Sequence, residues 1–548
     1  MSQIGSQYDA VIIGGGPGGS TAATLLARQG TRTLLLERDR FPREHIGESL
    51  LPASIPVLEE LGALPAIQQA GFLQKWGATM VWGNDTKPWS WYFKETNQRY
   101  PFSYQVSRPQ FDQILLDNSR KAGVEVWENH RVIEVIFQDG RATGVRCVTS
   151  TGERLIIPAG FVVDASGQGG LLSRQLGLRQ WDPFFRNLAV YGYFRGAQRL
   201  PEPDESNIFI ESCSNGWLWT IPLHTGLASV GAVVDSESGQ DGIRRLGLRQ
   251  FLMDQLAQGP AIANLLRTAE LTTGPNVVRD WSYVCQELSG QGYVLVGDAA
   301  CFVDPLFSSG VHLALMSGVL AAALITTSLS DPDMGEAAGQ VYQELYMQEY
   351  NQFRNMAKLF YSSNLSSSSY FWEARRLTGS DAVFTPRQAF IRAVAGQPPR
   401  GYERAVLERG DAPPEFIASV GQVESERSRR QSLLTSLLTP EGVMHPVFYS
   451  AVPCLAPGVE VKRKPVLGRG RFDWGNVIST TSEPEGTPCS SLVAEIASVI
   501  DGDTTISALI AKLQEGRDQS QNAIIERTLV SAVHILYVDG TISELKSP

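Results

Sequence analysis

The stretch from Tyr8 to Glu37 constrains the fold of this chain more than any other. Asp9-Ala10-Val11-Ile12-Ile13 is a β-branched apolar run stopped by glycine, and reads as a buried strand. Gly14-Gly15-Gly16-Pro17-Gly18-Gly19 follows and fits G-x-G-x-x-G, with Gly14, Gly16 and Gly19 in the three glycine places. Ser20 to Gln29, rich in Ala and Leu and ended by Gly30, reads as a helix. Thr33-Leu34-Leu35-Leu36 reads as a second strand, closed by Glu37 eighteen residues after Gly19. The first glycine permits a tight turn, the second lets the backbone approach a pyrophosphate, and the third lets helix and strand pack closely. The helix N-terminus, at Pro17 to Ser20, offers free N–H groups to phosphates, and an acid at Glu37 can bind ribose hydroxyls. Many glycine-rich turns bind nothing. Here the order of strand, glycines, helix, strand and acid points to a bound dinucleotide.

A chain of 548 residues exceeds one ordinary core, so two or three domains are expected. Hydrophobic content of 43% and charged content of 19% fit an ordinary globular protein. A net charge of −10 argues against a nucleic-acid partner. Six cysteines without a C-x-x-C pair fit a reducing, cytoplasmic setting better than a disulfide framework. No basic-then-apolar leader is visible at the N-terminus. The apolar run Val311 to Leu329 approaches membrane-span length but contains His312, Ser317 and two threonines, so it reads as a buried helix and no membrane span is expected.

Along the chain, Arg43-Glu44-His45-Ile46-Gly47-Glu48-Ser49 mixes charge with small residues, as a ligand-touching loop or an ordinary surface loop would. Lys75 stands alone in apolar company: its stem could pack on Trp76 with the ammonium in water, or its ammonium could be presented to a cavity. Arg108 opens a helix and could reach a phosphate. Residues around 75–110 and 185–285 are strand-like and aromatic, suggesting an antiparallel substrate sheet interleaved with the dinucleotide domain over 1–370. Within it Trp217, Trp219 and Ile221 alternate onto one face, and Pro222 ends the run, where core packing is the plain reading. Gly297-Asp298 ends a further strand. After it, Asp304-Pro305-Leu306-Phe307-Ser308-Ser309-Gly310-Val311 leads into a helix whose start is a natural anion site, with His312 packing or capping beside it.

Together these motifs resemble the flavin-dependent halogenases, most of all the type that modifies aromatic groups held on carrier proteins. The resemblance covers roughly residues 7 to 370. Trp217-Leu218-Trp219-Thr220-Ile221-Pro222 matches the family's W-x-W-x-I-P signature, Asp304 to Gly310 its segment beside the flavin, and Lys75 its essential lysine. The resemblance implies an α/β (α+β) fold, with a Rossmann-like three-layer FAD domain and an antiparallel substrate domain of the aromatic-hydroxylase type. It implies FAD held by Gly14, Gly16, Pro17, Gly19, Ser20, Glu37, Arg43, Ile46, Gly47, Glu48, Ser49, Arg108, Asp298, Pro305, Gly310 and Val311. Halide would sit at Ser309 and Gly310, Phe307 and Ser308 would line the substrate pocket, and the Trp217–Pro222 segment would keep substrate from the flavin. FADH₂ from an NAD(P)H-dependent flavin reductase, O₂ and chloride or bromide would give a C4a-hydroperoxide and then hypohalous acid, which Lys75 would deliver to a phenol or pyrrole on an acyl or peptidyl carrier protein in secondary metabolism. The branch acting on tryptophan has a catalytic glutamate where Phe307 stands, which leaves open the acceptor of the ring proton. An aromatic monooxygenase on the same scaffold and a non-catalytic scaffold that recruits a carrier protein are the rival readings.

Residues 371–470 hold fourteen Lys and Arg against ten Asp and Glu, including Arg375-Arg376, Arg427, Arg429-Arg430 and Lys462-Arg463-Lys464. Such a surface could steer an acidic carrier protein, or be a solvated charged face. A mainly helical extension is expected over 371–478. A Ser/Thr/Pro/Gly linker from Ser479 to Ser491 is then expected to precede a winged-helix-like module of three helices and a short strand over 490–548.

Overall fold

The computed structural model describes residues 2–3, 8–83, 85, 87–214, 216–362, 386–396, 430, 432–434, 445–481, 484–516 and 519–547. The described residues fall into two compact units. One holds the described residues up to 362 with 390–396 and 469–471, and the other holds 386–389, 430, 432–434, 445–468 and the described residues from 472 onward.

In the first unit, five parallel strands lie in the order Tyr293–Leu295, Arg154–Asp164, Tyr8–Ile13, Thr33–Leu36, Glu125–Trp127. Ala10, Val11, Ile12, Leu34 and Leu35 are wholly buried, as expected of a parallel sheet covered on both faces. The helix Pro17–Arg28 packs against Gly310–Ser330, where a Cβ on Gly318 would lie 2.7 Å from the Gly18 carbonyl oxygen. Gly310–Ser330 is apolar and long enough to cross a membrane, with mean hydropathy 1.8, but it is a core helix of this unit, with most of its length buried.

The second sheet of this unit runs Cys301–Phe302, Glu270–Cys285, Arg179–Arg195, Leu227–Asp235, Gly216–Pro222, Ile208–Cys213, Gly77–Val81, Trp89–Tyr92. It is antiparallel as expected, except that Ile208–Cys213 and Gly77–Val81 pair in parallel. Its strands alternate. Leu188, Val190, Leu218, Val230 and Val234 form one core with Phe251, Leu252 and Ile262 from the helices Leu248–Leu256 and Pro260–Leu265. That leaves Ala189, Tyr191, Trp217, Trp219 and Ile221 to the opposite face. The alternation that the sequence shows at Trp217, Trp219 and Ile221 therefore does aim all three at one space.

The second unit differs from the expected arrangement. Three helices, Ser491–Val499, Ile506–Gln514 and Gln519–Val538, and a final strand, Ile542–Lys546, occupy the last stretch. That strand pairs with Val452–Leu455, within the stretch expected to be helical. Glu460–Leu467 and Phe472–Ser479 form a hairpin, and Thr487–Cys489 adds to it across the supposed linker, whose turn-forming composition makes a reversal instead. Phe448, Ile478, Ile496, Leu509 and Leu529 share one core, so 445–468 and 472–547 are one folded body. Among the described residues, three members of the basic run have partners within their own unit. Lys462 pairs with Glu460 at 2.8 Å, Lys464 with Glu485 at 3.0 Å, and Arg430 donates to the carbonyls of Tyr537 and Ile542. Arg375, Arg376, Arg427 and Arg429 lie outside the described residues.

Candidate active site

A cavity of about 820 Å³ opens at the carboxyl ends of the five parallel strands, where doubly wound sheets hold ligands. Its first wall is the glycine loop. Gly14 has φ +104°, and a Cβ there would lie 2.4 Å from the Ala165 carbonyl oxygen, so only glycine makes this turn. Gly16 and Pro17 face the cavity, and the nearest atom to a Cβ on Gly16 would be Arg43 Nη2 at 3.6 Å. A diphosphate in the cavity beside them would be within reach of both a helix N-terminus and a guanidinium. Gly19 and Ser20 do not line the cavity. A Cβ on Gly19 would sit 2.0 Å from the Gly14 carbonyl oxygen, and Ser20 Oγ donates to the Gly15 carbonyl at 3.0 Å, so both shape the loop from behind. Glu37 lines the cavity while accepting from the N–H groups of Gly15 at 2.7 Å and Asp39 at 2.9 Å.

Ile46, Gly47, Glu48 and Ser49 form the next wall with Arg108 and Asp298. Arg108 is buried, paired with Asp112 through Nε at 2.8 Å and Nη2 at 3.0 Å, and donates to the Ile46 carbonyl. It thereby holds the loop that carries Glu48. Glu48 accepts from Tyr193 Oη at 2.9 Å and from Gly47 N–H at 3.1 Å, and burial pushes its carboxyl above the usual range. Burial likewise raises Asp298 to about 6.

The far wall is Trp217, Trp219 and Ile221 with Ala189 and Tyr191, closed by Pro305, Ser308, Gly310 and Val311. Trp217 is pinned: its indole N–H donates to Tyr361 Oη at 2.6 Å, and that hydroxyl donates to Asp304 at 2.7 Å. Asp304 also accepts from Asn187 at 3.1 Å, and burial lifts it to about 6. Tyr361, Asn187 and Tyr193 escaped the sequence reading, because each reaches its partner from far along the chain and no local pattern marks it.

Several expected placements differ. Pro222 ends its strand beside a small separate recess lined by Asn207 and Thr220. Ser308 stands on the cavity wall with φ +58°. Ser309 is fully buried and only Gly310 of that pair faces the cavity. Phe307 is buried among Phe360 at 5.1 Å and Phe390 at 6.2 Å, and Trp91 and Trp82 extend this aromatic cluster.

Lys75 does not line the cavity, yet it is joined to it. Its Nζ donates to Ser49 Oγ at 2.8 Å and to the Leu50 carbonyl at 3.2 Å, and lies 5.5 Å from the Phe93 ring centre. The side chain is 2% exposed, so the ammonium is not carried out to water past Trp76. Burial lowers it to about 7, which leaves both the charged and the neutral amine accessible near neutrality.

The tryptophan halogenase family matches residues 93–407, and the FAD-dependent oxidoreductases match residues 9–175. A tryptophan 2-halogenase of Chondromyces crocatus is 36% identical over 75% of this chain and 78% of its own. A 1H-pyrrole-2-carbonyl-[peptidyl-carrier protein] chlorinase of Pseudomonas fluorescens is 32% identical over 67% of this chain and 86% of its own. Among solved structures, the myxobacterial chondrochloren halogenase CndH aligns with TM-score 0.64 and 38% identity over 76% of this chain and all of its own. The flavin-dependent halogenase CmlS aligns with TM-score 0.68 and 28% identity over 97% and 96%. With these relatives, and a cavity at the carboxyl ends of a parallel sheet lined by the glycine loop, the chain belongs to the flavin-dependent halogenases, in the tryptophan halogenase family.

Proposed function

We propose that this enzyme chlorinates or brominates an electron-rich ring, a phenol or pyrrole tethered to an acyl or peptidyl carrier protein, through Lys75. The observation that carries the proposal is the buried Lys75 ammonium, one hydrogen bond behind Ser49 in the cavity wall. Bound as FADH₂ from an NAD(P)H-dependent reductase, the flavin supplies with O₂ the oxidising power that converts halide to hypohalous acid. The chain's own residues do the rest. Gly14, Gly16, Pro17, Glu37, Arg43 and Arg108 hold and orient the cofactor. Gly310 opens a helix, and a Cβ on it would meet nothing within 4 Å, which leaves room for a small anion against free N–H groups. Trp217 and Trp219, fixed through Tyr361 and Ser229, exclude the ring from the flavin and so disfavour hydroxylation. Lys75 hydrogen-bonds the oxidant and hands the halogen to the ring.

The carrier-bound substrate is supported by the relative named as a pyrrolyl-carrier-protein chlorinase, while the relative named as a tryptophan 2-halogenase keeps indole in view. The test is mass spectrometry of products formed with a flavin reductase, NADH, O₂ and chloride or bromide. Carrier-bound tyrosyl, pyrrolyl and tryptophanyl groups are offered beside the free acids. A halogen isotope pattern on a carrier-bound substrate is expected. Halogenated free acid alone removes the carrier protein, and a product heavier by one oxygen without halogen makes the enzyme a monooxygenase.

A further inference from the structure

Halogenation of a ring carbon releases a proton that a base must take, and Phe307 in the loop before Gly310 carries no group that could do so. Around the same loop, four side chains present buried polar atoms with no hydrogen-bond partner. They are Ser54 Oγ, Ser309 Oγ, both ring nitrogens of His312, and Glu349 Oε2. His312 is 5% exposed, and its Nε2 lies 3.6 Å from Glu349 Oε2. Buried polar groups in folded proteins are almost always paired, so several bare ones in one place mark a site that another molecule completes. A histidine kept only for packing would spend one ring N–H on a carbonyl or carboxylate within hydrogen-bond length, and this one does not.

The location lies behind the wall of the flavin cavity, not in it. His312 is in the first turn of Gly310–Ser330, whose Gly310 and Val311 face the flavin cavity, while His312 does not line it. Its ring meets Phe353 edge-on at 6.1 Å. Glu349, Phe353 and Phe360 lie on one face of Pro332–Ser362 by their spacing of four and seven residues, and Phe360 packs on Phe307. A Cβ on Gly396 would lie 2.9 Å from Ala53 Cβ and 3.0 Å from His312 Cδ2. His312 thus packs beside the segment whose Ser49 and Leu50 receive the Lys75 ammonium.

We propose that His312, backed by Glu349, is the base that takes the ring proton, a step that rests on the halogenation chemistry proposed above. The ring carbon forms its bond to halogen as the halogen–oxygen bond of the hypohalous acid breaks, and the electron pair leaves with oxygen as hydroxide. The ring C–H bond then breaks, its electron pair restores aromaticity, and the proton passes to a bare nitrogen of His312. Glu349 is a positioning residue whose carboxylate faces the imidazolium so formed. The imidazolium returns the proton to hydroxide, giving water.

The test uses full-length enzyme with FADH₂, O₂, halide and tyrosyl and pyrrolyl probes, free and carrier-bound, carrying hydrogen or deuterium at the ring carbons. In wild type, attack on the ring limits the rate and the isotope effect is about 1. In His312→Gln, proton removal becomes limiting, turnover falls on the order of 10²-fold and the isotope effect rises to about 3. Glu349→Gln shifts both in the same direction by less. A fall in turnover with the isotope effect still near unity in both folded, flavin-binding variants overturns the proposal and leaves His312 a packing residue. Wild type that halogenates no probe overturns the halogenation reading first, and this step with it.

Discussion

The wall of the flavin cavity and the surroundings of Lys75 are built by different means. The glycine-loop wall is mostly backbone: Gly14, Gly16 and the first turn of Pro17–Arg28, set by glycine geometry within one short stretch. Around Lys75 the contacts are gathered from distant parts of the chain: the Ser49 hydroxyl, the Leu50 carbonyl and the Phe93 ring. Backbone cradles bind any ligand with the right phosphates, and therefore serve many flavoproteins. Side-chain assemblies are where one chemistry is separated from another.

The sharpest way to break the first region is Gly14→Ala. A Cβ 2.4 Å from the Ala165 carbonyl oxygen at positive φ forces the loop apart, and flavin bound after purification is expected to fall by about tenfold or more, read from absorbance. Normal flavin content would show that the glycine geometry at position 14 does not set the cradle.

Burial of Lys75 gives the second region a pH signature. The folded amine titrates at about 7 against an ordinary 10.5, so the unfolded chain binds the extra proton between those values and stability rises with pH across that window. Below about 7 both states are protonated and the contribution is flat. Lys75→Met is expected to be the more stable protein near neutrality and to lose this slope, as urea denaturation from pH 6 to 10 would measure. A parallel pair of curves would mean that the amine is not desolvated.

A smaller effect tests the join between the regions. Tyr361→Phe removes the hydroxyl that accepts from Trp217 and donates to Asp304, leaving both buried groups a partner short. A loss of about 1–3 kcal/mol in unfolding free energy is expected, together with more substrate oxygenation as Trp217 loosens. The smallest change belongs to the second unit. Lys464→Ala removes an exposed pair with Glu485 and is expected to shift stability by less than about 0.5 kcal/mol, with flavin content unchanged.

The same contrast explains what could be read from the sequence. Strand, glycine loop, helix and Glu37 are contiguous, and Trp217, Trp219 and Ile221 alternate within seven residues of one strand, so local pattern was enough for the flavin side. Lys75 alone left two physical options open, and only its burial decides between them. Tyr361 and Glu349 gave no signal, since a tyrosine or glutamate in a helix is ordinary until its partner from elsewhere is known. The second unit was misdivided for the same reason. Val452–Leu455 pairs with Ile542–Lys546 across most of that unit, and a polar turn between Phe472–Ser479 and Thr487–Cys489 has the composition of a linker.

The central claim is that Lys75 separates halogen transfer from flavin oxidation. The direct measurement is halogenated product per FADH₂ oxidised, for wild type and Lys75→Ala, with halide and the best probe from the product assay. The account predicts that Lys75→Ala binds flavin and consumes O₂ at close to the wild-type rate while halogenated product falls on the order of 10²–10⁴-fold. Halogenation that survives in Lys75→Ala, or that falls only in step with flavin oxidation, would contradict it.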